Sequence, residues 1–106
     1  MRLAGSSLKY DVIGRAALRY LPLIVLRWLP EGRREGHEWV ARNPTRSDQR
    51  LGSFKVNLRS GKWADFATGD KGGDVISLAA YLHGLSQSSA AGKISEMLGL
   101  TREQGS

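Results

Sequence analysis

The stretch Gly61-Lys62-Trp63-Ala64-Asp65-Phe66-Ala67-Thr68-Gly69-Asp70-Lys71-Gly72-Gly73-Asp74 reads as a short strand, a tight glycine-rich loop and the start of a helix. The strand, from Lys62 to Ala67, carries two aromatics, Trp63 and Phe66. The loop holds Gly69, Gly72, Gly73 and Lys71. A helix takes over at Val75-Ile76-Ser77-Leu78-Ala79-Ala80-Tyr81-Leu82, with Asp74 or Gly73 as its cap and Val75, Leu78, Ala79 and Leu82 as its buried face. This junction fixes the layout: sheet is built up to it, and helix packs back from it.

On its N-terminal side, Ser53-Phe54-Lys55-Val56-Asn57-Leu58-Arg59 alternates strictly, the pattern of a half-buried strand. Phe54, Val56 and Leu58 face inward; Ser53, Lys55, Asn57 and Arg59 face out. Ser60-Gly61 reads as a two-residue hairpin turn. Residues 43–50 open on Asn-Pro, contain no apolar residue and read as a loop. His37 to Arg42 forms another strand, and Arg33-Arg34-Glu35-Gly36 a charged turn. Further back, Val12, Ala16 and Tyr20, with Ile13, Ala17 and Leu21, recur at helical spacing from Leu8 onward. Pro22 ends that helix or opens the next, which carries Leu23, Leu26, Trp28 and Leu29 and stops at Pro30-Glu31-Gly32. On the C-terminal side, His83-Gly84 ends the helix begun at Val75. Ser86 then caps a last helix with Ala90, Ile94, Met97 and Leu98 on one side, closed by Gly99.

The expected fold is therefore α+β: a small antiparallel sheet of three strands or slightly more, flanked by N-terminal and C-terminal helices. One domain spans 8–100, with helices in 8–29, strands in 37–67 and helices in 74–98. Residues 1–7 read as frayed and 101–106 as a tail.

The 106 residues, 41% of them apolar, suffice for one modest core. Sixteen Lys and Arg against ten Asp and Glu leave a net charge of +6. That excess points to a polyanionic partner, nucleic acid before an anionic membrane. Cysteine is absent, which excludes disulfides and thiolate metal sites. The apolar run from Leu21 to Leu29 is broken by Pro22 and Arg27 and is too short to span a bilayer. Met1 to Gly5 leads into no signal-peptide core, so the expected setting is cytoplasmic with no membrane partner.

No nucleophile signature surrounds any serine, and His37 and His83 have no nearby ligand partner. The glycine-rich loop lacks the Gly-Lys-Ser/Thr of a P-loop and is flanked by Asp70 and Asp74, which repel phosphate. It reads as a turn and a cap; a nucleotide-handling enzyme built on Asp70 and Asp74 is the weakest of three functional readings. The cations form a fuller pattern. Arg42, Arg46 and Arg50 lie on the first strand and its loop, Lys55 and Arg59 on the second, Lys62 at the start of the third, and Lys71 in the glycine loop. Trp39 and Trp63 sit on strands that can be neighbours. Cations tracking a backbone, mixed with rings that stack bases, are what single-strand binding needs. The same tryptophans also suit a small core, so the residues alone leave both roles open.

Four segments taken together carry a resemblance: Gly36-His37-Glu38-Trp39-Val40-Ala41-Arg42-Asn43-Pro44, Gly52-Ser53-Phe54-Lys55-Val56-Asn57, Gly61-Lys62-Trp63-Ala64-Asp65-Phe66 and Gly72-Gly73-Asp74-Val75-Ile76. In order and spacing they resemble the zinc-binding domain of bacterial-type primases, closest to the version at the N-terminus of phage and plasmid primase-helicases. The resemblance runs from Arg33 to Leu100. It implies a zinc-ribbon fold and a role in replication or priming. The family's first cysteine position is Asn43, its histidine position Arg46, and its two later cysteines Asp65 and Thr68. None of these rebuilds a thiolate zinc site. The expectation is a fold held without zinc or any cofactor, in which Arg46 either pairs with Asp65, with Asn43 and Thr68 hydrogen-bonding around the pair, or contacts DNA.

The function so implied is a non-catalytic single-stranded-DNA-binding module of a mobile element's replication system, working beside a primase, polymerase or helicase. The alternative is an interaction module that docks on a helicase or primase without touching DNA. The outer face of the sheet discriminates: cations with an exposed ring favour DNA, an apolar patch favours a protein.

Overall fold

A computed structural model describes residues 10–45 and 52–100. The expectations for 1–9, for Arg46 and Arg50, and for the C-terminal tail lie outside these residues. Among the described residues the chain forms helices α1 (Tyr10–Arg19) and α2 (Leu21–Trp28). Strands β1 (Arg33–Glu35), β2 (Glu38–Ala41), β3 (Phe54–Asn57), β4 (Trp63–Asp65) and β5 (Lys71–Gly72) follow, and then helices α3 (Val75–His83) and α4 (Gln87–Met97). The strands make one antiparallel sheet in the order β1-β2-β3-β4-β5. No described helix is long and apolar enough to cross a membrane.

Five strands replace the three read from the sequence, and each addition has a physical reason. β1, read as a charged turn, is an edge strand exposed at every position. An edge strand with neither face buried carries no alternation to detect. It hairpins onto β2 through Gly36, whose φ of +63° suits a residue without Cβ. β5 lies inside the glycine loop, and Gly72 pairs with Trp63. A Cβ on Gly72 would collide with the Trp63 indole and the Ser77 hydroxyl. Close packing, not a positive φ, is what requires glycine there; Gly69 is the loop glycine at positive φ, +87°.

The β3–β4 connection is also longer than a two-residue turn. The Asn57 amide bonds to the Lys62 carbonyl, so Leu58 to Gly61 form the loop. Asn57 Oδ1 accepts from the amides of Arg59 and Ser60 at 2.9 Å each. Asn57 thereby closes the turn with its own side chain.

The helix boundaries follow the sequence signals. Pro22 falls in the first turn of α2. Asp74 caps α3 by accepting from the Ser77 amide at 2.8 Å, and the Ser77 hydroxyl closes the reciprocal half of the box. Gly84, at φ +65°, ends α3, and Ser86 caps α4. One core joins the helices to one face of the sheet. Ile13, Ala17, Leu21, Ile24 and Val25 from the first pair, and Val75, Ile76, Leu78, Ala90 and Ile94 from the last, pack with Trp39, Phe54, Val56 and Trp63. Lys55 and Lys71 lie on the opposite face by register, where Val40, paired with Lys55, is buried as well.

Candidate nucleic-acid interface

Side chains alternate across a strand. Trp39, Ala41, Phe54, Val56, Trp63 and Asp65 are the inward positions and are all buried. Lys55 and Ala64 therefore point away from the helices. Register places Lys55 opposite Ala64, and Ala64 opposite Lys71. Lys55 and Lys71 thus stand two strand spacings apart, about 10 Å. Phe66 is the next residue of Ala64's parity, anchored by its amide on the Ser53 carbonyl at 2.8 Å. Phe66 is 71% exposed, and Lys55 Nζ lies 5.7 Å from its ring centroid. An ammonium at that distance is attracted to the face of the ring. Two lysines around an open ring present both parts of a single-strand site: charge for phosphate and a π-face for a base.

Trp39 and Trp63 are placed differently from Phe66. They are 8% and 5% exposed, and their indole N–H groups are used internally. Trp39 Nε1 donates to the Leu29 carbonyl at 3.0 Å, fastening the end of α2 to β2. Trp63 Nε1 donates to Ser77 Oγ at 2.9 Å, and its ring packs on Tyr81 at 4.6 Å. Neither ring lies open to a base. Arg42, Arg59, Lys62 and Lys71 are exposed and Lys55 is half-buried. Of these five, Lys55 and Lys71 share the row beside Phe66, and register continues that row through Val40 to Arg33 on β1. Arg59 and Lys62 sit at the β3–β4 loop, the far end of β4 from Phe66. Arg42 follows β2 and borders a cavity of about 320 Å³ with Trp28, Pro30 and Pro44.

The positions aligned with zinc ligands make a second cluster. Asn43 and Asp65 are both buried, and Asn43 Nδ2 donates to Asp65 Oδ2 at 2.7 Å. Asp65 Oδ1 accepts from the Ala67 amide at 2.8 Å. Asn43 Nδ2 also donates to the Tyr81 hydroxyl at 2.8 Å, which donates onward to Asp70 Oδ2 at 2.7 Å. Thr45 donates twice to Asn43 Oδ1, from its amide and its hydroxyl. Thr68 turns its hydroxyl to the Asp70 amide at 3.2 Å rather than joining Asn43 and Asp65. The network ties the segment after β2 to β4, to the turn beyond it and to α3. Asn43, Asp65 and Thr68 offer no thiolate or imidazole, so they do not fit zinc. Among the described residues no three His, Cys, Asp or Glu side chains converge as a metal site. The expected Arg46–Asp65 pair lies outside the described residues. Asp70 and Asp74, the carboxyls of the enzymatic reading, are held by the Tyr81 hydroxyl and by the α3 cap.

The sequence matches no family model and no curated protein.

Two features of the candidate site are absent from the sequence reading. Phe66 and Trp63 belong to one strand in the sequence, and a spacing of three puts them on opposite faces. Once Trp63 is assigned inward, Phe66 must point outward. In the sequence Tyr81 stands only as part of a helix. Its hydroxyl bridges Asn43 and Asp70, residues distant from it in sequence, and no local pattern marks such a contact.

Proposed function

We propose that this chain is a non-catalytic single-stranded-DNA-binding module, a zinc-free relative of the primase zinc-binding domain acting in replication or priming of a mobile element. The observation that carries this reading is the open Phe66 ring beside Lys55, with Lys71 across the same sheet face. Of the two features that distinguish DNA from protein partners, this face has the exposed ring among cations. The net charge of +6 supports the same partner. The Asn43–Asp65 contact supports the family reading, since two positions aligned with ligands of one metal meet in space and are joined by a hydrogen bond instead.

The strand would lie across β3, β4 and β5, stacking a base on Phe66 with its phosphates near Lys55 and Lys71. Arg59 and Lys62 extend the positive path toward the β3–β4 loop. Duplex DNA keeps its bases stacked inside and offers no free face to Phe66, so single strands are preferred. Labelled oligothymidylate and duplex, titrated by fluorescence anisotropy across a salt series, test this. With three to five cations reaching phosphate, log K against log salt falls with a slope between about −2 and −4 for the single strand. Replacing Lys55 and Arg59 together flattens that slope and weakens binding without unfolding the domain. Absence of binding at low salt, or binding indifferent to salt, would reject the proposal.

A further inference from the structure

The helical side of the molecule carries an apolar surface that the DNA reading leaves unused. Tyr20, Leu23 and Leu26 are 46%, 65% and 52% exposed. Spaced three apart, they lie along one side of α2. Leu23 is also one turn from Arg27, which is exposed. Arg27 and its neighbour Trp28 form one wall of a cavity of about 600 Å³ between α2, α3 and α4. Leu85, Ile94 and Met97 supply its apolar lining, and Lys93 and Glu96 stand among its lining residues. Arg27, one turn from Leu23 and part of the groove's lining, stands between the stripe and the groove, whose lining mixes these apolar residues with His83, Lys93 and Glu96.

The charge around this surface selects the occupant. Arg19 precedes the stripe, Arg27 follows it, and Lys93 lies across the groove. Among the described residues the ion pairs are Arg15–Asp11 and Arg33–Glu35, so no described carboxylate pairs with these three cations, and Glu96 is the one described acidic residue lining the groove beside Arg27 and Lys93. A second copy of the chain would bring its own Arg19 and Arg27 against them. A single nucleic-acid strand would find leucines where it needs hydrogen bonds. An amphipathic helix with acidic flanks satisfies both halves: its apolar side covers Leu23, Leu26 and the groove, and its carboxylates meet the three cations.

We propose that the α2 stripe and the groove between α2, α3 and α4 bind an acidic amphipathic helix of a partner protein. The site lies on the helical layer, away from Lys55, Phe66 and Lys71, so the peptide and a DNA strand bind together. The inference does not rest on the DNA reading.

Displayed random peptides of about 12 residues, long enough for three helical turns, are selected on the wild-type protein. They are counter-selected on Leu23→Ser/Leu26→Ser, whose altered side chains are exposed and leave the melting curve in place. Selected peptides are expected to be acidic, with large apolar residues at i and i+3 or i+4. Anisotropy with the best labelled peptide is expected to show a loss of about tenfold or more in affinity for the leucine variant. Arg27→Glu/Lys93→Glu is expected to lose a similar factor. Selection of no peptide that distinguishes the wild type from the leucine variant would overturn the proposal. So would neutral or basic winners, or sedimentation showing that the stripe instead joins two copies of the chain. Binding of phosphatidylglycerol vesicles through Leu23 and Leu26, with no peptide selected, would equally overturn it.

Discussion

Asp65→Ala is expected to lower the melting temperature by about 12 °C or more. Asp65 is fully buried and accepts from Asn43 Nδ2 and the Ala67 amide. Truncation leaves both donors without that acceptor. At about 1.5 kcal/mol for each buried hydrogen bond broken from one side, the cost is about 3 kcal/mol. In a domain of this size each kcal/mol shifts the midpoint by about 4 °C or more. Asp65→Asn keeps the volume and one acceptor, but sets an amide against the Asn43 amide, and should fall between wild type and Asp65→Ala. Thermal denaturation followed by circular dichroism measures both. Asn43→Ala with Asp65→Ala completes a cycle in which the contact appears as a coupling of about 1 kcal/mol or more. Additive effects would remove Asn43–Asp65 as a structural tie and leave the β3 ladders and packing to hold the segment after β2 against β4.

Phe66→Ala is expected to do the reverse: no change in melting, and a large loss of DNA binding. The ring is mostly exposed, so its removal takes little from the core. Stacking of one base on an aromatic side chain contributes about 1–3 kcal/mol, so affinity for oligothymidylate should fall about fivefold to a hundredfold. Phe66→Trp should restore it, since the indole face stacks as well. The salt slope should stay unchanged in Phe66→Ala, because no phosphate contact is lost, whereas Lys55→Ala or Lys71→Ala should reduce its magnitude by about 0.7. This separation of affinity from salt slope distinguishes a stacking ring from a general loss of positive surface. Equal binding by Phe66→Ala and wild type would exclude the ring.

The residues that the sequence located well are those under local rules. Asp74, Ser86, Gly84 and Gly99 stand where capping geometry puts them. Phe54, Val56 and Leu58 are buried as their alternation requires. What was not legible depends on partners far along the chain. β1 has no buried face to impose a pattern, and β5 is two residues held by Trp63 and the helix after it. Asn57 has the pattern of an outward strand residue, whereas its side chain closes the loop that follows. At the candidate site the outward parity of Lys55 is legible in the alternation of its strand, but the ring beside it is not. Two tryptophans drew the stacking role because they are the largest π-surfaces. In a domain this small the core also needs them, and Leu29 and Ser77 supply the acceptors that let them be buried. The smaller ring, left on the outer face by strand parity, is the one available to a base.

The central claim is that a single DNA strand lies on the outer face of β3, β4 and β5. Titration of the isotopically labelled protein with an oligothymidylate of about 12 nucleotides, followed by backbone amide chemical shifts, tests it most directly. The claim predicts the largest shifts at Lys55, Ala64, Phe66 and Lys71, with smaller ones at Arg59 and Lys62 and none at Leu23, Leu26 or Met97. Shifts concentrated on α2 and the groove beside it, with the sheet face silent, would contradict it.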